Sequence, residues 1–278
     1  MSLKQNLALL ALAAVLPSTH AAVSVTLTPE AGGLAAFEYA QSFDSLPATG
    51  TSLAWANDST LAGWSLFDST KAAKTTYRAN NGSDTAGSFY SYGNSADRAL
   101  GAVGSGATYW GSPASGALSG YITLALRNDS GQALSSVGVY WDAEQWRLGQ
   151  GNPGSDALDF RYGLGDTFKG VSTWVNPGVS FKYNSPVVNT TSGAGAALDG
   201  NTNAVSLGGD IALDWQPGQT LWLTWIDYNS AGNDHGLAID NVYVSTAVAA
   251  VPEPEAAALA LIGLGLVAGV ARRRAQRA

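Results

Sequence analysis

The chain has 278 residues, no cysteine, two histidines (His20 and His235), and 14 Lys+Arg against 21 Asp+Glu, a formal net charge of -7. Without cysteine there is no disulfide, thiolate metal site or cysteine nucleophile, and two histidines exclude a histidine cluster. The acidic balance argues against nucleic acid or an anionic lipid surface as a partner of the main body.

In chain order, the first element is a leader. Lys4 precedes an uncharged apolar run from Leu7 to Leu16, Pro17 breaks it, and Ser18-Thr19-His20-Ala21 places small residues where a signal peptidase cuts. The run is too short to span a bilayer, so residues 1–21 are predicted to be a secretory signal peptide and the mature chain to begin near Ala22.

Residues 22–247 read as one all-β ectodomain, because no Pro-rich linker or charge block divides them and helical periodicity is scarce. From Ala22 to Ala250 there are 9 basic residues (14 less Lys4 and four tail arginines) and 19 acidic ones (21 less Glu253 and Glu255), a net charge of -10. Period-two alternation predicts a strand over Tyr121–Arg127 with Ile122, Leu124 and Leu126 on one face, closed by the turn Asn128-Asp129-Ser130-Gly131. Val137, Val139 and Trp141 mark the next strand, Leu158, Phe160 and Tyr162 another, and Leu221, Leu223 and Trp225 a further one. Leu237–Val244 is predicted to be the last strand. Short strands with Gly/Asn/Ser turns predict an antiparallel β-sandwich of jelly-roll type.

Several places in this body carry residues suited to chemistry. Asp142, Glu144, Asp156 and Asp159 are candidate carboxylates for a glycosidase pair, with Trp146 as a stacking aromatic; the alternative for Glu144 and Arg147 is a structural ion pair. A Ser-His-Asp triad would have to use His235, and no G-x-S-x-G elbow supplies its nucleophile. The densest polar run is Asp227–Gly236. Calcium takes six to eight oxygens, and Asp227, Asn229, Asp234 and Asp240 are the candidate ligands, although the run does not fit an EF-hand: Ala231 falls at the fifth position and Ala238 at the twelfth. A loop held by Asx turns is the alternative. The nine tryptophans suit glycan stacking or core packing; Trp141 and Trp225 share faces with Val or Leu and are assigned to the core.

The C-terminal segment, residues 248–278, is predicted to hold a linker, the tripeptide Pro252-Glu253-Pro254, a transmembrane helix from Ala256 to Ala271, and an arginine tail of Arg272, Arg273, Arg274 and Arg277. Sixteen residues rise about 24 Å, a shortfall that snorkelling arginines and local thinning make up. The arginines place the tail in the cytoplasm and the body outside. Gly265 and Gly269 form a G-x-x-x-G step that permits close helix contact.

Pro-Glu-Pro, a Leu/Ala/Gly helix and a terminal arginine cluster, in that order, resemble the PEP-CTERM sorting signal of Gram-negative bacteria. The resemblance implies recognition by an exosortase, a membrane transpeptidase that removes the tail near the tripeptide, and an association with extracellular polysaccharide and biofilm. Within the body, Asp234-His235-Gly236-Leu237-Ala238-Ile239-Asp240 is similar to the close of MAM-type and carbohydrate-binding jelly rolls, and implies no catalytic residue. The expected protein is therefore exported and passes through the inner membrane as a single-pass intermediate. An exosortase then processes it for the cell surface or matrix, where its role is structural or glycan-binding without catalysis. The alternative is a secreted polysaccharide-active hydrolase or lyase on the same sandwich.

Overall fold

The computed structural model describes residues 22–249. The predicted signal peptide, tripeptide, transmembrane helix and arginine tail lie outside them. Among the described residues, no helix is long and apolar enough to cross a membrane.

Sixteen strands are described. They begin with β1 (Val23–Val25), β2 (Thr28–Glu30), β3 (Leu34–Gln41), β4 (Gly50–Ala54), β5 (Trp64–Asp68) and β6 (Thr76–Asn80). They continue with β7 (Ser88–Tyr92), β8 (Ala99–Val103), β9 (Leu118–Asn128), β10 (Leu134–Leu148) and β11 (Ala157–Leu164). The last are β12 (Lys182–Asn184), β13 (Ala196–Ala197), β14 (Val205–Trp215), β15 (Thr220–Tyr228) and β16 (Gly236–Ala249). All-β architecture follows, in two sheets. One has six strands, ordered β1-β9-β15-β11-β12 with β5 also on β9; the other has ten, built around β10 and β16. Pairing is antiparallel apart from β1 with β9 and β6 with β7.

The sheets pack face to face through the alternating apolar residues. Ile122, Leu124 and Leu126, Val137, Val139 and Trp141, Leu158 and Phe160, and Leu221, Leu223 and Trp225 all join the main core, with Tyr162 packed at its margin. An aromatic spine crosses it: Trp225 stacks on Trp64 at 5.5 Å between ring centroids and meets Trp141 edge-on at 5.6 Å. Edge-on and offset ring pairs of this kind add stabilisation beyond the area they bury.

β16 extends to Ala249, past the expected domain boundary at 247. It also changes phase. Leu237 and Ile239 face the core, and so do Val242 and Val244. The register shifts between Tyr140/Asp142 and Tyr243/Asp240, and Asn241 has φ of 49°. This β-bulge absorbs one residue and turns both Asp240 and Tyr243 to the outer face of the larger sheet.

Candidate functional site

Three places on this framework hold groups with chemical potential. The first is an open stretch of the outer face of the larger sheet. Tyr140 on β10 stands directly opposite Tyr243 on β16, in a ladder continued by Gly208 on β14 and Ala40 on β3. Tyr140 is 42% exposed and Tyr243 half-buried. A Cβ at Gly138 would come within 3.1 Å of Tyr140 Cε2 and of Asp210 Oδ1, so the missing side chain is what lets the ring lie along the sheet. Tyr140 Oη donates to Asp210 Oδ1 at 3.3 Å, and Glu38 bonds the Tyr243 hydroxyl. Depressions of about 490 and 340 Å³ flank the pair, the first lined by Asp142, Ser206 and Asn241, the second by Glu38, Asp210 and Ser245.

The second place is the covered part of that same face. Glu144 Oε2 accepts a 2.7 Å hydrogen bond from Trp146 Nε1, and Gly200 lies against the Trp146 indole. Tyr90, Tyr92, Ala99, Val103, Trp146 and Ala238 form a satellite core here. The rest of the Glu144–Arg147 phrase fastens loops: Gln145 Nε2 donates to Val187 O while its Oε1 accepts from Val187 N, and Arg147 Nη1 donates to Gly82 O. Burial pushes Glu144 up to about 7, against the pull of the Trp146 N–H. Asp240 belongs here, and burial raises it to about 8, with the Glu144, Asp97 and Asp44 charges adding to the rise.

The glycosidase candidates do not converge as a set. Asp142 is held by Ser206 Oγ and Asn241 Nδ2, and Asp156 by Asn152 Nδ2 and the His235 N–H. Asp159, on the smaller sheet, is bound by Tyr228 Oη and paired with Lys182 at 3.7 Å. His235 is also spent. Its Nδ1 accepts from Gly149 N at 2.8 Å, and its Nε2 lies 3.0 Å from Gly154 O, which requires the neutral tautomer with the proton on Nε2. Neither nitrogen is open to a nucleophile or a metal.

The third place is the end of the sandwich where β15 runs out. Asp227 follows Leu221, Leu223 and Trp225 on the inner face of β15, and the 229–235 turn returns Asp234 beside it. Both are buried, Asp227 at 4% and Asp234 at 5% exposure. Asp227 Oδ2 and both Asp234 carboxylate oxygens have no well-aligned hydrogen-bond partner, although the Ser230 backbone N–H comes near enough to Asp234 to pull its carboxyl down a little. A Cβ on Gly104 would lie 2.8 Å from Asp227 Oδ2 and 2.6 Å from Asp234 Oδ2 and would collide with Tyr228 O, so three oxygens surround one point. Burial and then the Asp156 charge push Asp227 well up; burial, then Asp227 and Asp156, push Asp234 up to about 9. Asn229 and Asp234 line an adjoining cleft of about 290 Å³ with Gly104 and Arg147.

The expected calcium set is therefore split. Asp227 and Asp234 come together, and Asn229 lies beside them with its Nδ2 donated to Pro113 O. Asp240 does not join them, because strand alternation puts it with Glu144 on the other side of the larger sheet. Gly104 was not visible as a partner, since it is brought in from more than a hundred residues earlier. Eight of the nine tryptophans are buried, leaving Trp174 half-exposed, so indoles do not form the open face. The tyrosines that do were signalled by their parity against Val139 and Trp141, and against Val242 and Val244.

A two-sheet β body whose last strand leads directly into a sorting tail defines the class of this protein. Residues 250–275 match the PEP-CTERM protein-sorting motif, beginning at the residue after β16. The motif implies export, exosortase processing and transient membrane anchoring by the tail. No curated protein matches the chain. Among solved structures the body is similar to the K3 cleaved adhesin domain of Lys-gingipain from Porphyromonas gingivalis w83, at 11% identity and TM-score 0.37, over 72% of this chain and 100% of that one. It is similar to the enzymatically active domain of tailspike protein 4 of bacteriophage CBA120, at 14% identity and TM-score 0.31, over 67% and 19% of the two chains. It is also similar to Arthrobacter globiformis T6 isomalto-dextranase complexed with panose, at 11% identity and TM-score 0.29, over 76% and 35%.

Proposed function

We propose that the protein is a cell-surface or extracellular-matrix component, without catalytic activity, whose sandwich binds neutral polysaccharide on the Tyr140–Tyr243 face. The observation that supports this reading is the side-by-side tyrosine pair on an open sheet face, flanked by Glu38, Asp142, Asp210 and Asn241. Sugar rings offer apolar C–H faces that stack on aromatic rings, and their hydroxyls donate to carboxylate and amide oxygens. The carboxylates, on a body of net charge -10, repel polyanions and favour uncharged glycans.

Affinity electrophoresis of the full-length protein through gels containing a neutral glucan tests this, with polygalacturonate as the anionic control. Retardation is expected in the glucan gel only. Tyr140→Ala and Tyr243→Ala should each weaken it roughly three- to tenfold, the loss of one aromatic stacking contact. Unchanged retardation in the double variant would overturn the reading. Steady release of reducing ends from the glucan would favour the hydrolase instead.

A further inference from the structure

We propose that Asp227, Asp234 and the Tyr228 carbonyl form a calcium site at the end of the sandwich, with Gly104 as its floor and the adjoining cleft as its entrance. The proposal goes beyond the glycan reading and is independent of it.

Two carboxylates 4% and 5% exposed, with three oxygens lacking a well-formed hydrogen bond and only the Ser230 and Tyr228 backbone N–H groups nearby, are costly in a folded protein unless something opposite occupies the space between them. Among the described residues no cation does so. Arg147 lines the same cleft but gives its guanidinium to Gly82 O and Ser83 O. Asp156, whose charge acts on both aspartates, is itself satisfied by Asn152 and the His235 N–H.

The geometry fits a hard cation. Asp227 Oδ2 and Asp234 Oδ2 lie 2.8 and 2.6 Å from one point, so they are within about 5.4 Å of each other. Two oxygens bound to one calcium ion at about 2.3–2.6 Å span up to roughly 5.2 Å. Tyr228 O crowds the same point, which is one bond from the Gly104 Cα and so is not the ion's own position; glycine at 104 lets the three oxygens close in, and the ion would sit on their cleft side. Among the described residues no three His, Cys, Asp or Glu side chains gather around a metal. The ligand set is therefore two carboxylates and a carbonyl, completed by water from the cleft. All-oxygen coordination selects calcium over zinc or copper. A site with only two charges suits the affinity of extracellular modules, about 10⁻⁴–10⁻³ M.

The test uses the full-length protein in detergent, stripped with EGTA and titrated with calcium chloride. Calorimetry should find one ion per chain, and the melting temperature should rise by about 5–10 °C at a hundredfold excess over Kd. Asp227→Asn and Asp234→Asn should each abolish both effects, whereas Asp240→Asn should keep them. The wild-type chain offers a readout that needs no variant. The Trp110 ring lies over Gly120, which pairs with Asp227, so indole excitation should produce terbium emission that calcium displaces. No binding heat and no displaceable emission would overturn the site, as would undiminished binding in Asp234→Asn. An equal response to magnesium would overturn the calcium assignment.

Discussion

Glu144 and Asp240 are diagonal neighbours across the β10–β16 ladder, Glu144 opposite Ala238 and Asp240 opposite Asp142, and both carboxyls are buried on the outer side of the sheet. Glu144 has the Trp146 indole as its donor, while Asp240 Oδ1 has none. The arrangement favours protonated carboxyls, so this part of the fold is sensitive to pH.

For an acid whose pKa is higher folded than unfolded, the native state holds more protons, and stability falls as pH rises. Glu144 moves from 4.5 to about 7, Asp240 from 3.8 to about 8 and Asp234 from 3.8 to about 9. Their contribution is complete below about pH 4, declines as pH rises above that, and is gone once pH has passed about 7, 8 and 9 respectively. In EGTA, the melting temperature should therefore drop between pH 5 and pH 9. Glu144→Gln keeps an acceptor for Trp146 and removes the charge, so it should flatten the curve between pH 5 and 7. The effect is bounded by roughly 3 kcal/mol at about 1.4 kcal/mol per pKa unit. A profile of Glu144→Gln identical to the parent's would show that Glu144 does not titrate in this window.

A second expectation concerns Gly82, where the backbone has φ of +89° and a Cβ would collide with Trp146 O. Its own carbonyl accepts from Arg147 Nη1, so the loop cannot retreat without breaking that bond. Gly131 has φ of +74° and nothing within 4 Å, which makes it the matched control. Left-handed backbone costs a non-glycine residue about 1–3 kcal/mol. Gly131→Ala should lose only that, and Gly82→Ala distinctly more, in denaturant melts of the two variants. Equal losses would mean the loop over Trp146 is free to shift.

The strands legible in the sequence are those with one face in the core and a polar or mixed partner face, such as Tyr121–Arg127 and the Val137–Trp141 segment. β5, β7 and β8 are buried at all five positions each, because Phe168 and Trp222 cover one outer face and Trp146 packs over part of the other. Burial on both sides erases alternation, and these strands gave no period to read. The site shows the same limit. The Asp227–Asp234 run is visible as a polar turn, but Gly104 reaches it only through the fold. Parity also excludes Asp240: Ile239 faces the core, so Asp240 faces away. The bulge at Asn241 then hides Tyr243 from any count that starts at Leu237, and only Val242 and Val244 reveal its side.

The sorting tail carries the last expectation. β16 pairs with β10, β8 and β3 and ends at Ala249, three residues before Pro252. Three residues reach at most about 10 Å, so a protease acting at the tripeptide works close against the folded sheet. Proline fixes φ, lacks an N–H and disfavours helix in the residue before it, which suits a sequence that a protease must read in extended form. A plain membrane anchor needs only an apolar helix and positive charge, and would have no use for Pro252-Glu253-Pro254. Replacing all three with alanine should therefore leave export and folding of the body intact and accumulate an uncleaved species in the inner membrane. Pulse-labelling followed by fractionation would detect it as a slower-migrating band that does not chase into the released or surface pool. Processing of the triple-alanine chain at the parent's rate would mean that the tripeptide does not direct cleavage and that the tail acts as an ordinary anchor.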